Sequence, residues 1–197
     1  MKRILIIDDR EDVRLVVKTT LRQFGFTTVE AANGPEGVQK AITYLPDLII
    51  CDVNMDGMDG FGTLEAVRAL SLFSTTPFIL MTGTVGPETF RRSMACGADD
   101  FLQKPFKAQD LIEAVVSRLV RHSQIQAEVE KRAEQMRFEA LEQISRKIAA
   151  PISESLGATS STSRRRPSRN NERIVTEAHR LNESVKRLSQ PALAHAH

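Results

Sequence analysis

The chemistry of this chain rests on a few polar residues: Asp8 and Asp9, Asp52, Thr82, and Lys104 in the run Lys104-Pro105-Phe106. Each stands at the end of a short, strongly apolar segment, such as Ile4–Ile7 before the acid pair and Leu48–Ile50 before Asp52. Open parallel sheets bind ligands outside the carboxyl ends of their strands, so these residues are expected to share one sheet edge. Carboxylates held that close repel one another and need a hard cation to stay ionised together. Magnesium suits them, because it takes a few carboxylates, a backbone carbonyl and waters, and bridges to phosphoryl oxygens. The Thr82 hydroxyl can reach such an oxygen, and Lys104 supplies a point charge for the same group. Lys104 precedes a proline, which pushes its backbone toward extended geometry and helps aim the ammonium. A divalent-metal and phosphoryl site is the expectation.

The segments that must position these residues alternate in period. Strand-like runs cover Arg3–Asp8, Thr27–Glu30, Asp47–Asp52, Pro77–Thr82 and Asp99–Gln103. Between them, Glu11–Phe24, Gly34–Tyr44, Gly60–Leu70 and Pro87–Cys96 place apolar residues at helical spacing, and a last helix starts near Ala108. Strands alternating with helices imply right-handed crossovers and an α/β fold, a doubly wound five-stranded parallel sheet covered on both faces. Gly25, Gly34, Gly57, Gly60, Gly83 and Gly97 read as loop punctuation. An acid at a strand end can also cap a helix, which gives Asp9 or Asp12 an alternative use.

The last helix does not stop where a compact domain would. Leu111, Val115 and Leu119 lead on to Ile125, Val129, Ala133 and Met136, then to Leu141, Ile144, Ile148, Ile152 and Leu156. Pro151 is expected to kink this helix rather than end it. The expected division is residues 1–121 and 122–197, with a long helix over 108–156, a loop over 157–171 and a second helix over 172–189. In that second helix Ile174, Ala178, Leu181, Val185 and Leu188 form a heptad seam. Two long helices and one loop make an all-α antiparallel hairpin. Its core is too thin to stand alone, so pairing into a four-helix bundle across a homodimer is expected.

Composition sets further bounds. Residues 1–121 carry 14 Lys/Arg against 16 Asp/Glu, and residues 122–197 carry 13 against 9. The basic excess lies largely in Arg164-Arg165-Arg166 and Arg169, in a Ser-rich stretch without aromatics, so a solvated loop is favoured over nucleic-acid contact. No apolar run reaches the roughly 18 residues of a membrane span, and the apolar start is ended by acids too soon for a signal peptide. A cytoplasmic protein without membrane contact is expected. Cys51 and Cys96 lack metal-type spacing and read as reduced structural thiols.

The ordered set Asp8-Asp9, Asp52 with Asn54, Thr82-Gly83, Gly97-Ala98-Asp99 and Lys104-Pro105-Phe106 resembles the receiver domain of two-component response regulators, over about residues 1–121. That resemblance implies a flavodoxin-like fold. It implies that Asp52 is the phosphoacceptor, a carboxylate nucleophile taking a phosphoryl group from the phosphohistidine of a sensor histidine kinase. Asp9, Asp52 and the Asn54 main-chain carbonyl would bind Mg2+ directly, Asp8 through water, while Lys104 and Thr82 stabilise the transferring oxygens. It further implies a switch in which Thr82 moves toward the phosphoryl group and Phe101 fills the vacated space. Asn54 and Thr84 occupy positions that tune dephosphorylation in this family.

A second resemblance covers Phe138–Ile152, which is similar to the dimerisation and phosphotransfer helix of sensor kinases. Ser145, Ile148, Pro151 and Ile152 match its pattern, but Arg146 stands at the histidine position and Lys147 at that of the neighbouring acid. A guanidinium is no phosphoryl nucleophile. His122 and His179 read as helix-surface residues rather than phosphotransfer sites. The resulting expectation is a non-enzymatic response regulator that signals through a dimerising hairpin by protein–protein contact. A DNA-binding regulator using the basic tail, and a phosphotransferase or phosphatase acting through the hairpin, are the rival readings.

Overall fold

The computed structural model describes residues 1–83, 91, 96–160 and 180. Its elements are β1 (Arg3–Ile7), α1 (Glu11–Gln23), β2 (Thr27–Ala31), α2 (Gly34–Tyr44) and β3 (Leu48–Asp52). They continue with α3 (Gly60–Arg68), a 3-10 turn (Ser71–Phe73), β4 (Phe78–Thr82), β5 (Asp100–Gln103) and α4 (Ala108–Ser160). Most of the helix expected over Pro87–Cys96, Thr84, the loop beyond Ser160, His179 and the second tail helix lie outside the described residues. The chain forms two units, Met1–Ala127 and Glu128–His197.

In the first unit all five strands run parallel in the order β2-β1-β3-β4-β5. The chain goes from β1 out to the β2 edge and returns on the other side of β1 to lay down β3. Strand order therefore reverses between β1 and β3, and the carboxyl ends of these neighbours flank the crevice where open sheets bind ligands. Ile7 pairs with Cys51 at that end, so Asp8 and Asp52 emerge side by side.

Period-two alternation divides the core in two. Leu5, Ile7, Ile49, Cys51, Phe78 and Leu80 face α2 and α3, where Ala41, Phe61, Leu64 and Val67 cover them. Ile4, Ile6, Leu48, Ile50, Ile79 and Met81 face α1 and α4, against Val17, Leu21, Leu111, Val115 and Leu119. The strand residues of both sets are fully buried, each apolar side chain contributing roughly 1.5–3 kcal/mol relative to exposure.

Local chemistry sets the helix starts. The Asn33 side chain accepts from the Glu36 amide at 2.9 Å, and Glu36 accepts in return from the Ala32 amide at 2.6 Å. This reciprocal cap, with a proline in the first turn, opens α2. Asp59 caps α3 by accepting from the Gly62 amide at 2.7 Å. The residue at the start of α1 is Arg10, which makes no side-chain cap bond, so neither Asp9 nor Asp12 occupies that position. Gly34 and Gly60, where the helical spacing begins in the sequence, are the first residues of α2 and α3.

α4 runs through Pro151 and continues past Leu156 to Ser160, so Gly157 does not open the loop there. A glycine inside a helix costs only about 1 kcal/mol relative to alanine, too little to end a helix by itself. Within the second unit Val129, Met136, Leu141 and Ile144 of α4 are more than half exposed.

Candidate functional site

The site is assembled by strand ends. Asp8 follows β1 and is fully buried, Asp9 beside it is exposed, and Asp52 is the buried last residue of β3. One carboxylate oxygen from each lies within 4.8 Å of the others. Hard oxygen donors this close fit a divalent cation such as magnesium by charge and ligand type.

Lys104, one residue past β5, crosses to this cluster. Its Nζ donates to Asp8 Oδ2 at 2.7 Å and to Asp52 Oδ1 at 2.8 Å. Its backbone is anchored as well, the Lys104 amide donating to the Thr82 carbonyl at 2.7 Å. Thr82 closes β4 with its side chain buried, one residue beyond Met81, the register partner of Asp52. Phe101 on β5 pairs with Leu80 and packs, half-buried, against the core facing α3. Asn54 is exposed two residues past Asp52.

The electrostatics are finely balanced. Burial pushes the Asp52 carboxyl above its ordinary pKa; the Lys104 hydrogen bond opposes this, while the charges of Asp8 and Asp9 add to it. Burial works against the charged form of Lys104, but its hydrogen bonds to Asp52 and Asp8 overcome that and raise its pKa. The ammonium is therefore firmly protonated, and further positive charge would favour the ionised form of Asp52. The buried Cys51 thiol has a pKa pushed well up, first by burial and then by Asp52, which keeps it unreactive.

Three further residues touch the acids without having stood out as site residues in the sequence. The Arg10 amide donates to Asp8 Oδ1 at 3.0 Å, and Arg14 Nη1 donates to the Asp8 carbonyl at 2.8 Å. Gly60 packs against the Asp52 main chain, where the carbonyl of Val53 accepts the Gly60 amide at 3.0 Å. Adjacency to the acid pair was the available signal for Arg10. For Arg14, one helical turn on, and for Gly60, the local pattern carries no such signal.

This sheet order and this acid-lined edge place the first unit among flavodoxin-like α/β modules. Comparison with known proteins narrows the class. Residues 4–116 match the family model of the response regulator receiver domain. The chain is 35% identical to the chemotaxis protein CheY of Bacillus subtilis over 115 residues, 57% of this chain and 93% of that protein. It is 32% identical to the Bacillus subtilis alkaline phosphatase synthesis transcriptional regulatory protein PhoP over 64% of this chain, and 33% identical to the Escherichia coli regulatory protein AtoC over 66%. It spans 51% of the length of PhoP and 27% of AtoC. The solved structure of Vibrio cholerae CheY4 aligns with a TM-score of 0.58 at 36% identity, covering 59% of this chain and 98% of that one.

The chain belongs to the response regulator receiver-domain family. Receiver domains interact with histidine kinases and generally bind Mg2+ through an acidic pocket, which in this chain corresponds to Asp8, Asp9 and Asp52. Among the described residues, no helix is long and apolar enough to cross a membrane.

Proposed function

We propose that this protein is a response regulator that accepts a phosphoryl group on Asp52 from a sensor histidine kinase and signals through its helical tail. The observation that carries the reading is Lys104 bridging Asp8 and Asp52. In the transfer, an Asp52 oxygen forms the new bond to phosphorus as the P–N bond to the kinase imidazole breaks, and that imidazole leaves with the electron pair. Lys104 and Thr82 then serve the equatorial phosphoryl oxygens, Lys104 as a charge already in place. Asp9, Asp52 and the Asn54 carbonyl would hold Mg2+, with Asp8 supporting them. The ion supplies positive charge to carboxylates that otherwise repel and to the phosphoryl oxygens. Thr82 and Phe101 act as the switch that reports occupancy of Asp52.

The output reading rests on α4 beyond Ala127. Its exposed Val129, Met136, Leu141 and Ile144 favour association with a second copy of this chain, in a bundle completed by the tail. Arg146 and Lys147 replace the histidine and acid that a phosphotransfer helix needs, which favours a docking or dimerising role over an enzymatic one.

Intact-mass spectrometry with magnesium and an acyl phosphate tests the acceptor: wild type gains one phosphoryl group and Asp52→Asn gains none. Light scattering before and after phosphorylation tests the output. Association changed by the phosphodonor in wild type but not in Asp52→Asn supports signalling through the tail. A monomer in both states rules out self-association as the output. Salt-dependent binding to duplex DNA would instead favour a transcriptional output of the kind that PhoP carries in its name.

A further inference from the structure

A phosphodonor approaching this pocket is an anion approaching three carboxylates. Inside, Lys104 is shared between Asp8 and Asp52, and with Mg2+ it would serve the phosphoryl oxygens once they are in place. The rim differs. Arg10 follows the acid pair directly, and its amide fixes it to Asp8 Oδ1 at 3.0 Å. Its guanidinium lies outside the pocket, held by two bonds from Nε and Nη2 to the Asp12 carboxylate at 3.2 and 2.6 Å. Both side chains are about two-thirds exposed, at 66% and 67%. Asp8 and Asp9 lie within electrostatic reach of that guanidinium.

We propose that Arg10 is a specificity-determining rim residue that favours doubly charged phosphodonors, with Asp12 setting how much of its field reaches them. This rests on the reading of Asp52 as phosphoacceptor. Attraction to one rim cation scales with donor charge. A dianionic acyl phosphate such as acetyl phosphate therefore gains more from Arg10 than phosphoramidate, which carries one net negative charge. In both reactions Asp52 oxygen bonds to phosphorus. Acetate leaves with the electron pair of the P–O bond in one, and ammonia with that of the P–N bond in the other. The difference between the leaving groups is the same in every variant, so the change in the ratio of the two rates from wild type to variant isolates the approach. Asp12 holds the guanidinium in place and cancels part of its charge, so it weakens a preference that would otherwise be larger.

The test measures phosphorylation rates of the full chain with magnesium, for both donors, in wild type, Arg10→Ala, Arg10→Lys and Asp12→Asn. At low ionic strength Arg10→Ala should lose about threefold to tenfold with acetyl phosphate, and clearly less with phosphoramidate. Raising salt toward 1 M, where the screening length falls to about 3 Å, should erase the difference. Arg10→Lys should keep the preference, and Asp12→Asn should raise the acetyl phosphate rate. Equal losses with both donors, or a salt-independent loss, would overturn the proposal and leave Arg10 a structural residue. Wild type unlabelled by either donor would overturn the phosphoacceptor reading and this one with it. Labelling that needs Asp52 but ignores Arg10 would overturn this one alone.

Discussion

Gly60 stands directly against Asp52: a Cβ at Gly60 would meet the Asp52 carbonyl oxygen at 2.2 Å and the Val53 Cα at 2.8 Å. The obstacle is backbone, which cannot swing aside as a flexible side chain would. Gly60→Ala should therefore push the start of α3 away from the site strand and cost about 1–3 kcal/mol, read as a lower urea midpoint. Phosphoryl uptake on Asp52 should fall as well, because the Asp52 carbonyl sits at the point of contact. A variant as stable and as readily labelled as wild type would show that α3 can shift freely.

Arg68 joins parts of the first unit that are distant in sequence. Its guanidinium donates to the Phe73 and Thr76 carbonyls at 2.7 Å each and to Asp99 Oδ2 at 2.8 Å. The same Asp99 oxygen accepts the Phe78 amide at 2.9 Å. Arg68→Ala strands several of these partly buried acceptors and should cost about 2–3 kcal/mol, more than an exposed ion pair is worth. Arg68→Lys should recover only part of that, since an ammonium cannot span the same fan of acceptors. Chemical denaturation of the two variants decides it.

Asp52 should weaken the fold that carries it. Its carboxyl pKa is raised, by burial first, so the folded state holds its proton more tightly than the unfolded chain does. Below the ordinary carboxylate value of 3.8 this has no effect; as pH rises from there through the folded-state value, stability is lost, and it stays lost at neutral pH. In metal-free buffer at pH 7.5, Asp52→Asn should melt above wild type, with the advantage disappearing near pH 3.5. Identical melting curves at neutral pH would contradict this.

Asp47 has the opposite sign. Burial alone would raise its pKa, but it accepts from Lys2 Nζ at 2.8 Å and from the Arg3 amide at 2.7 Å, and together these lower it. Its contribution is present above 3.8 and lost as pH falls through the lower folded-state value. Asp47→Asn should thus destabilise the protein at neutral pH and match wild type in strong acid. Thermal melts across pH 2–7 provide the comparison.

Much of this architecture was legible in the chain. The five strands and helices α1 to α3 lie within one or two residues of their sequence positions, because apolar runs and helical spacing agree with capping residues such as Asn33 and Asp59. The clustering of Asp8, Asp9, Asp52 and Lys104 followed from a single rule about strand ends. What stayed hidden depends on tertiary approach. Nothing near Arg68 announces Asp99, 31 residues away, and nothing near Gly60 announces that a backbone carbonyl will press on it. A glycine followed by Ser and Thr residues reads as a stop after Leu156, whereas α4 tolerates Gly157 and runs to Ser160.

The alternation of strand side chains between two helix layers has a thermodynamic corollary. Leu64 belongs to the core on one side of the sheet and Val115 to the core on the other, and both are fully buried. The sheet acts as a partition. A cavity opened on one side leaves packing on the other intact, so Leu64→Ala and Val115→Ala should lower stability independently, adding to within about 0.5 kcal/mol. Leu64→Ala combined with Leu80→Ala, on the same side, should depart from additivity, because neighbours around one void relax together. The first unit is thus one cooperative body holding two separately adjustable reservoirs of stability, and one of them can be tuned without disturbing the other.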